Sequence, residues 1–198
     1  MKKVVWTLSV VAALTLLAGC QQPAVVAPTP APAATSSTEP SAAPAAPQMY
    51  TATIDQINHS GVKGEATVTV SGSMLTVVVS ASGLVPGQPH AAHIHGLGSG
   101  QSSTCPQAPN GTGLLTLEPA AEKFYGPVLA PLTPFPTASS AGDVSFTSQV
   151  DVSTSAVASI PVMPLAGRAI VLHGLMMKGK YNPGVPVGCG ELTAIPGQ

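Results

Sequence analysis

Residues 65–70 alternate cleanly, with Ala66, Val68 and Val70 on one face and Glu65, Thr67 and Thr69 on the other. A period of two predicts a half-buried β-strand, because successive side chains of an extended chain point to opposite faces. Residues 51–57 alternate less cleanly and run into Asn58-His59-Ser60-Gly61, a turn composition. Ser71-Gly72-Ser73 ends the first pattern, and the valine-rich residues 74–81 predict a neighbouring strand. Leu84-Val85-Pro86-Gly87-Gln88-Pro89 reads as a corner leading into a strand over 90–95. Further strands are expected over 143–150, 168–173 and 188–193. No convincing amphipathic helix and no internal repeat is present. The Pro-rich, weakly patterned residues 96–142 read as a long loop, and loops of that length are usually functional or disordered. Short strands broken by Gly and Pro turns predict an all-β sandwich or barrel.

The first 48 residues have a different character. Lys2 and Lys3 precede an apolar run from residue 4 to 18, which is short for a membrane span and suits an export signal over residues 1–19. The run closes with Leu17-Ala18-Gly19-Cys20, which looks like a bacterial lipoprotein processing site and predicts lipidation at Cys20. Each buried acyl methylene contributes roughly 0.8 kcal/mol, so two or more chains would hold a protein durably on a membrane. Gln21 after that cysteine leans towards an outer membrane, where the cell has one. Residues 20–48 carry the lipid site and a tether rich in Pro, Ala, Thr and Ser, unable to bury a core. In extended form the tether reaches on the order of 80 Å. Residues 49–198 have the size of one domain with a single core. The expected location is therefore the cell envelope, with the lipid as the only membrane contact.

Net charge is −1 and the few basic residues are scattered, which excludes the electrostatic footprint of a nucleic-acid binder. With Cys20 lipidated, Cys105 and Cys189 are the remaining thiols, and an even remainder in an exported protein reads as a disulfide. His93 and His95 stand two apart on a predicted strand and so face the same way, with Ile94 packing on the other side. His173 ends the apolar run Ala169-Ile170-Val171-Leu172 and completes a three-nitrogen metal site if the fold brings the two strands together. His59 reads as a turn residue and Arg168 as a structural one. Imidazole suits copper in both common oxidation states, and copper tops the divalent affinity order.

The segment Pro89-His90-Ala91-Ala92-His93-Ile94-His95-Gly96 resembles the His-Gly-Phe-His-Val-His signature of the copper/zinc superoxide dismutase family and its bacterial lipoprotein relatives. Gly167-Arg168-Ala169-Ile170-Val171-Leu172-His173 and Cys189-Gly190 support it in order and approximate spacing, and the resemblance covers most of residues 50–195. It implies an eight-stranded Greek-key barrel with copper at the outer face of the sheet. By the same resemblance His93, His95 and His173 are the copper ligands and catalytic residues. Cys105 and Cys189 form the family disulfide, and His90 steadies the backbone behind the ligands.

The departures are equally specific. The family's bridging histidine and other zinc ligands belong in the loop after the first cysteine, yet residues 106–142 contain neither histidine nor aspartate. One copper ion and no zinc is therefore the expectation. The arginine expected three residues before the second cysteine is Pro186 here. Water, Met176, Met177, Glu118 or Glu122 are candidates for a further ligand to oxidised copper, and Lys178 and Lys180 for steering superoxide. These features imply superoxide dismutation at reduced speed. The rivals are a non-enzymatic copper protein for storage or delivery at the envelope, and a structural β-domain without metal.

Overall fold

The alternation seen in the sequence becomes hydrogen-bonded pairing in the structure, a computed structural model that describes residues 47–98, 100–106, 120–154 and 160–197. The chain divides into the units Met1–Ala42 and Ala43–Gln198, and every described residue lies in the second. The predicted signal, Cys20 and nearly all of the predicted tether fall outside the described residues.

Three long strands open the barrel: β1 (Gln48–Gln56), β2 (Lys63–Ser71) and β3 (Met74–Ser82). They pair antiparallel in sequence order, with Tyr50, Ala52 and Ile54 facing inward beside Ala66, Val68 and Val70, then Leu75, Val77 and Val79. The chain then crosses to β4 (Ala92–His95), turns through a single helical turn α1 (Glu122–Tyr125), and continues into β5 (Val128–Pro131). β6 (Val144–Asp151) returns to pair with β3, and β7 (Ala169–Met177) pairs with β4. β8 (Lys180–Glu191) joins β7 to β1, and β9 (Thr193–Ala194) adds a short pairing to β1.

The resulting order is β5-β4-β7-β8-β1-β2-β3-β6. The sheet curls until its ends approach, with Ser148 Oγ on β6 donating to the Thr133 carbonyl just past β5 at 2.9 Å. Neighbours that are distant in sequence, β3 with β6 and β4 with β7, mark Greek-key connections. The expected all-β Greek-key barrel is present.

Two corrections concern the long loop expected over 96–142. It contains strand β5 and the helical turn α1, both anchored by buried residues, Leu129 and Ala130 in one and Tyr125 in the other. β5 is only four residues long and ends at Pro131, so its alternation is too brief to register in sequence. The hairpin of β7 and β8 also extends further than expected. Pro183 and Pro186 interrupt the pattern, but β8 pairs with β1 only near Asp55 and Gln56. Residues 180–185 therefore lie outside the pairing with β1, while the Pro186 and Val187 carbonyls accept from Asn58 and Ile57 just past it, contacts that require no proline N–H. A smaller correction is that β1 begins at Gln48, within the predicted tether.

β7 is buried on both faces. Ile170 and Leu172 join the main core, whereas Ala169 and Val171 face outward under a second cluster with Ile57, Ala121, Tyr125 and Cys189. The Cys105–Cys189 disulfide forms as expected, with Cα atoms 5.5 Å apart across 84 residues of sequence. It fastens the segment after β4 to β8 beneath that second cluster. Replacing Cys189 by alanine is expected to lower unfolding free energy by about 4–5 kcal/mol in the chain-entropy model. Urea titration checks this, and a loss below about 1 kcal/mol would contradict the bridge's place in the fold.

Candidate metal centre

β4 and β7 lie side by side with Ile94 opposite Ile170 and His93 opposite Val171. Even-numbered residues of this pair point into the barrel, and odd-numbered ones point out. His93, His95 and His173 therefore emerge on the same outer face, as the two-residue period requires. The ring centroids are 5.0 Å apart for His93 and His173, and 5.7 Å for each of the other two pairs. Their potential ligand nitrogens all lie within 4.8 Å of one another. The three sequence-predicted ligands converge.

Burial separates the rings. His95 is fully buried, His173 is 3% exposed, and His93 lies at the half-buried edge. Loss of water disfavours the charged imidazolium, which pushes His173 down to about 3 and His95 down to about 4. His93 is lowered for the same reason. All three rings are therefore neutral at physiological pH, as metal binding requires.

Each ring is oriented by the chain around it. His95 Nδ1 lies 2.8 Å from the Gly126 carbonyl, which accepts its proton and leaves Nε2 with the lone pair. The Tyr125 ring packs edge-on against His95 at 4.7 Å. His173 is held by a backbone hydrogen bond with Gly184. The atoms left over are His93 Nδ1, His95 Nε2 and His173 Nε2, buried and without a hydrogen-bond partner. A buried polar atom left unpaired costs about 1–3 kcal/mol, and three aimed at one another make a site for a cation. The donor set fits a transition metal with a preference for nitrogen, such as copper or zinc.

His90 lies behind the three rings. It is fully buried, with Nδ1 2.8 Å from the His173 carbonyl and Nε2 3.1 Å from the Val85 carbonyl. Its backbone N–H donates to Pro136 at 2.8 Å, so one residue ties the β3–β4 corner, β7 and the segment after β5 together. Gly174 makes this possible. It sits in the irregular pairing after His173 at φ 117°, and a Cβ there would meet the Tyr181 phenol and the His90 ring. Tyr181 in turn packs edge-on against His90 and donates to the Pro89 carbonyl.

The disulfide reaches the site by a short route. Thr104 donates its N–H to Phe124 and Ser103 Oγ donates to Tyr125, each at 2.9 Å, immediately before the Gly126 carbonyl that orients His95. Tyr125, Gly126, Gly174 and Tyr181 were not singled out from sequence. Their roles depend on contacts between distant segments, and no local pattern announces them.

Other sequence candidates fall elsewhere. Glu122 lies on α1 and outside the three-histidine group, and Glu118 is not among the described residues. Lys178 and Lys180 form the tip of the β7–β8 hairpin, with Met177 paired to Lys180. Met176 stands on the same hairpin, 47% exposed and opposite Tyr181. His59 occupies the turn after β1 at φ 55°, as expected of a turn residue. Arg168 is buried and structural, its guanidinium donating to the carbonyls of Val162, Leu97 and Pro161.

No protein-family model matches the chain, and a search of curated proteins returns no match. Among solved structures, a SOD-like protein from Bacillus subtilis aligns over 72% of this chain and 97% of its own, at 18% identity and a TM-score of 0.44. The ligand assignment rests on the side chains described above and not on that likeness.

The depressed proton affinities have a signed consequence for the metal-free protein. The unfolded chain takes up protons near pH 6.5, whereas folded His95 and His173 do so only near 4 and 3. The unfolded state thus binds more protons between these values, and stability falls as pH drops through that window. Each ring should contribute a slope of up to about 1.4 kcal/mol per pH unit. Urea unfolding of chelator-treated protein between pH 7.5 and 4.5 should show this decline, reduced in His173→Gln. A flat profile would contradict the burial of neutral rings.

Proposed function

We propose that this chain is an exported, lipid-anchored protein whose barrel binds one copper ion through His93, His95 and His173 and disproportionates superoxide. The observation that carries the reading is the set of three unpartnered imidazole nitrogens on the outer face of β4 and β7. The choice of copper follows from the donor set and its surroundings. Three neutral imidazoles leave the charge of a bound ion uncompensated, and burial penalises a divalent ion more than a monovalent one. Copper has an accessible monovalent state and accepts nitrogen donors in both states. Copper bound there would supply one-electron exchange.

The chain's own residues hold and orient. Gly126 fixes the tautomer of His95, and His90 braces the backbone at His173. The half-buried His93 edge is the side from which a small anion would approach. Net disproportionation converts two superoxide ions and two protons into dioxygen and hydrogen peroxide. His95 would give Nε2 to the metal while its Nδ1 proton is held by the Gly126 carbonyl, so it keeps no free proton for superoxide. Protons come from solvent, which makes the reaction slower than diffusion. That same shortage of a proton donor favours a second reading, in which the site stores or delivers copper without turnover. The proposed location is the envelope side of a membrane, with acylated Cys20 as the anchor.

The purified full-length protein is expected to retain one copper per chain by elemental analysis and to accelerate superoxide decay in pulse radiolysis. His93→Ala should lose both. Bound copper with decay at the uncatalysed rate would favour the carrier, and no copper above the His93→Ala background would overturn both readings.

A further inference from the structure

Phe135 is an exposed aromatic residue held in place by what flanks it. The sequence around it is Thr133-Pro134-Phe135-Pro136-Thr137. Each proline fixes its own φ, and a residue that precedes proline is confined to extended conformations. Hydrogen bonds fasten both sides of the segment. Ser148 Oγ donates to the Thr133 carbonyl at 2.9 Å, and the His90 N–H donates to the Pro136 carbonyl at 2.8 Å. Thr137 bridges to Pro89, and Leu132 is buried with its N–H bonded to Ala92.

The ring on this backbone is 40% exposed. It stands 5.4 Å from the His93 ring at an interplanar angle of 88°, an edge-to-face contact. His93 is the least buried of the three proposed ligands, and the other two are sealed in. Tyr125 covers His95 from the other side. Among the described residues, the half-buried edge of the site at His93 thus carries an aromatic ring on a backbone with little freedom.

We propose that Phe135 is a size-selecting wall at the mouth of the three-histidine site, admitting a small anion or a free ion while slowing larger reagents. This rests on the reading of His93, His95 and His173 as metal ligands. The backbone is pinned on both sides, so the ring leaves its place beside His93 only by turning about its own side-chain bonds. Such a wall fits a substrate of diatomic size, and it would also limit the loss of metal to bulky chelators at the cell envelope.

The test uses full-length protein loaded with Cu(I) and two probes of different size, bicinchoninate and cyanide, with removal followed by stopped flow. In Phe135→Ala, removal by bicinchoninate should accelerate by about threefold to tenfold, whereas removal by cyanide should change by less than about twofold. Equilibrium affinity from a competition titration should stay within about twofold, and Phe135→Leu should fall between wild type and Phe135→Ala. Unchanged removal rates overturn the wall. Equal acceleration with both probes also overturns it, because Phe135 would then support His93 and not select by size. A wild-type protein that takes up no copper overturns the metal reading and the wall together, which separates that failure from the other two. Thermal melts of both variants are expected to stay cooperative with at most a small drop, as the ring lies outside the core and contributes one edge contact.

Discussion

Three imidazole nitrogens, buried side by side with no hydrogen-bond partner, are the constraint around which this barrel is built. A folded chain seldom leaves even one such atom unpaired, because the loss of water is not compensated. Here the neighbours increase the demand. They occupy the opposite nitrogen of His95 with the Gly126 carbonyl and press Tyr125 against its ring. The arrangement keeps the imidazoles neutral and pointed at one another, which makes sense for a site completed by a cation.

Precision at that point comes from segments far apart in sequence. Pairing of β4 with β7 sets the common face, and the irregularity at Gly174 aims His173 across it. His90 locks the same region from behind. The Cys105–Cys189 bond then holds the stretch that carries Tyr125 and Gly126. The orientation of the three rings, the barrel and the disulfide are therefore joined through a small set of hydrogen bonds. A disturbance at any of these contacts should be felt at His95 or His173 before it is felt in the main core, which lies on the other face of β7.

Much of this was legible in the sequence, and the reasons are physical. The strand period exposed β2 and β3, and the two-residue spacing of His93 and His95 fixed their shared face. His173 could be joined to them only through the likeness of the motifs, since no local rule brings β7 beside β4. With Cys20 set aside as the lipid site, the two cysteines that remain predicted the bridge. Short, proline-terminated β5 carried too few residues to show a period. The extended β7–β8 hairpin was hidden by Pro183 and Pro186, which it accommodates outside the pairing with β1. Tyr125, Gly126 and Phe135 had no signal at all, because each matters only for what it touches across the fold. Glu122 was a reasonable acidic candidate by proximity in sequence, and the helical turn places it outside the imidazole group.

X-ray absorption on the Cu(I)-loaded protein tests the convergence of these rings most directly. Three imidazole nitrogens at about 2 Å, with the multiple scattering of intact rings, are the predicted result. A two-coordinate ion, or a sulfur shell from Met176 or Met177 in place of an imidazole nitrogen, would show that the three rings do not share one metal and would contradict it.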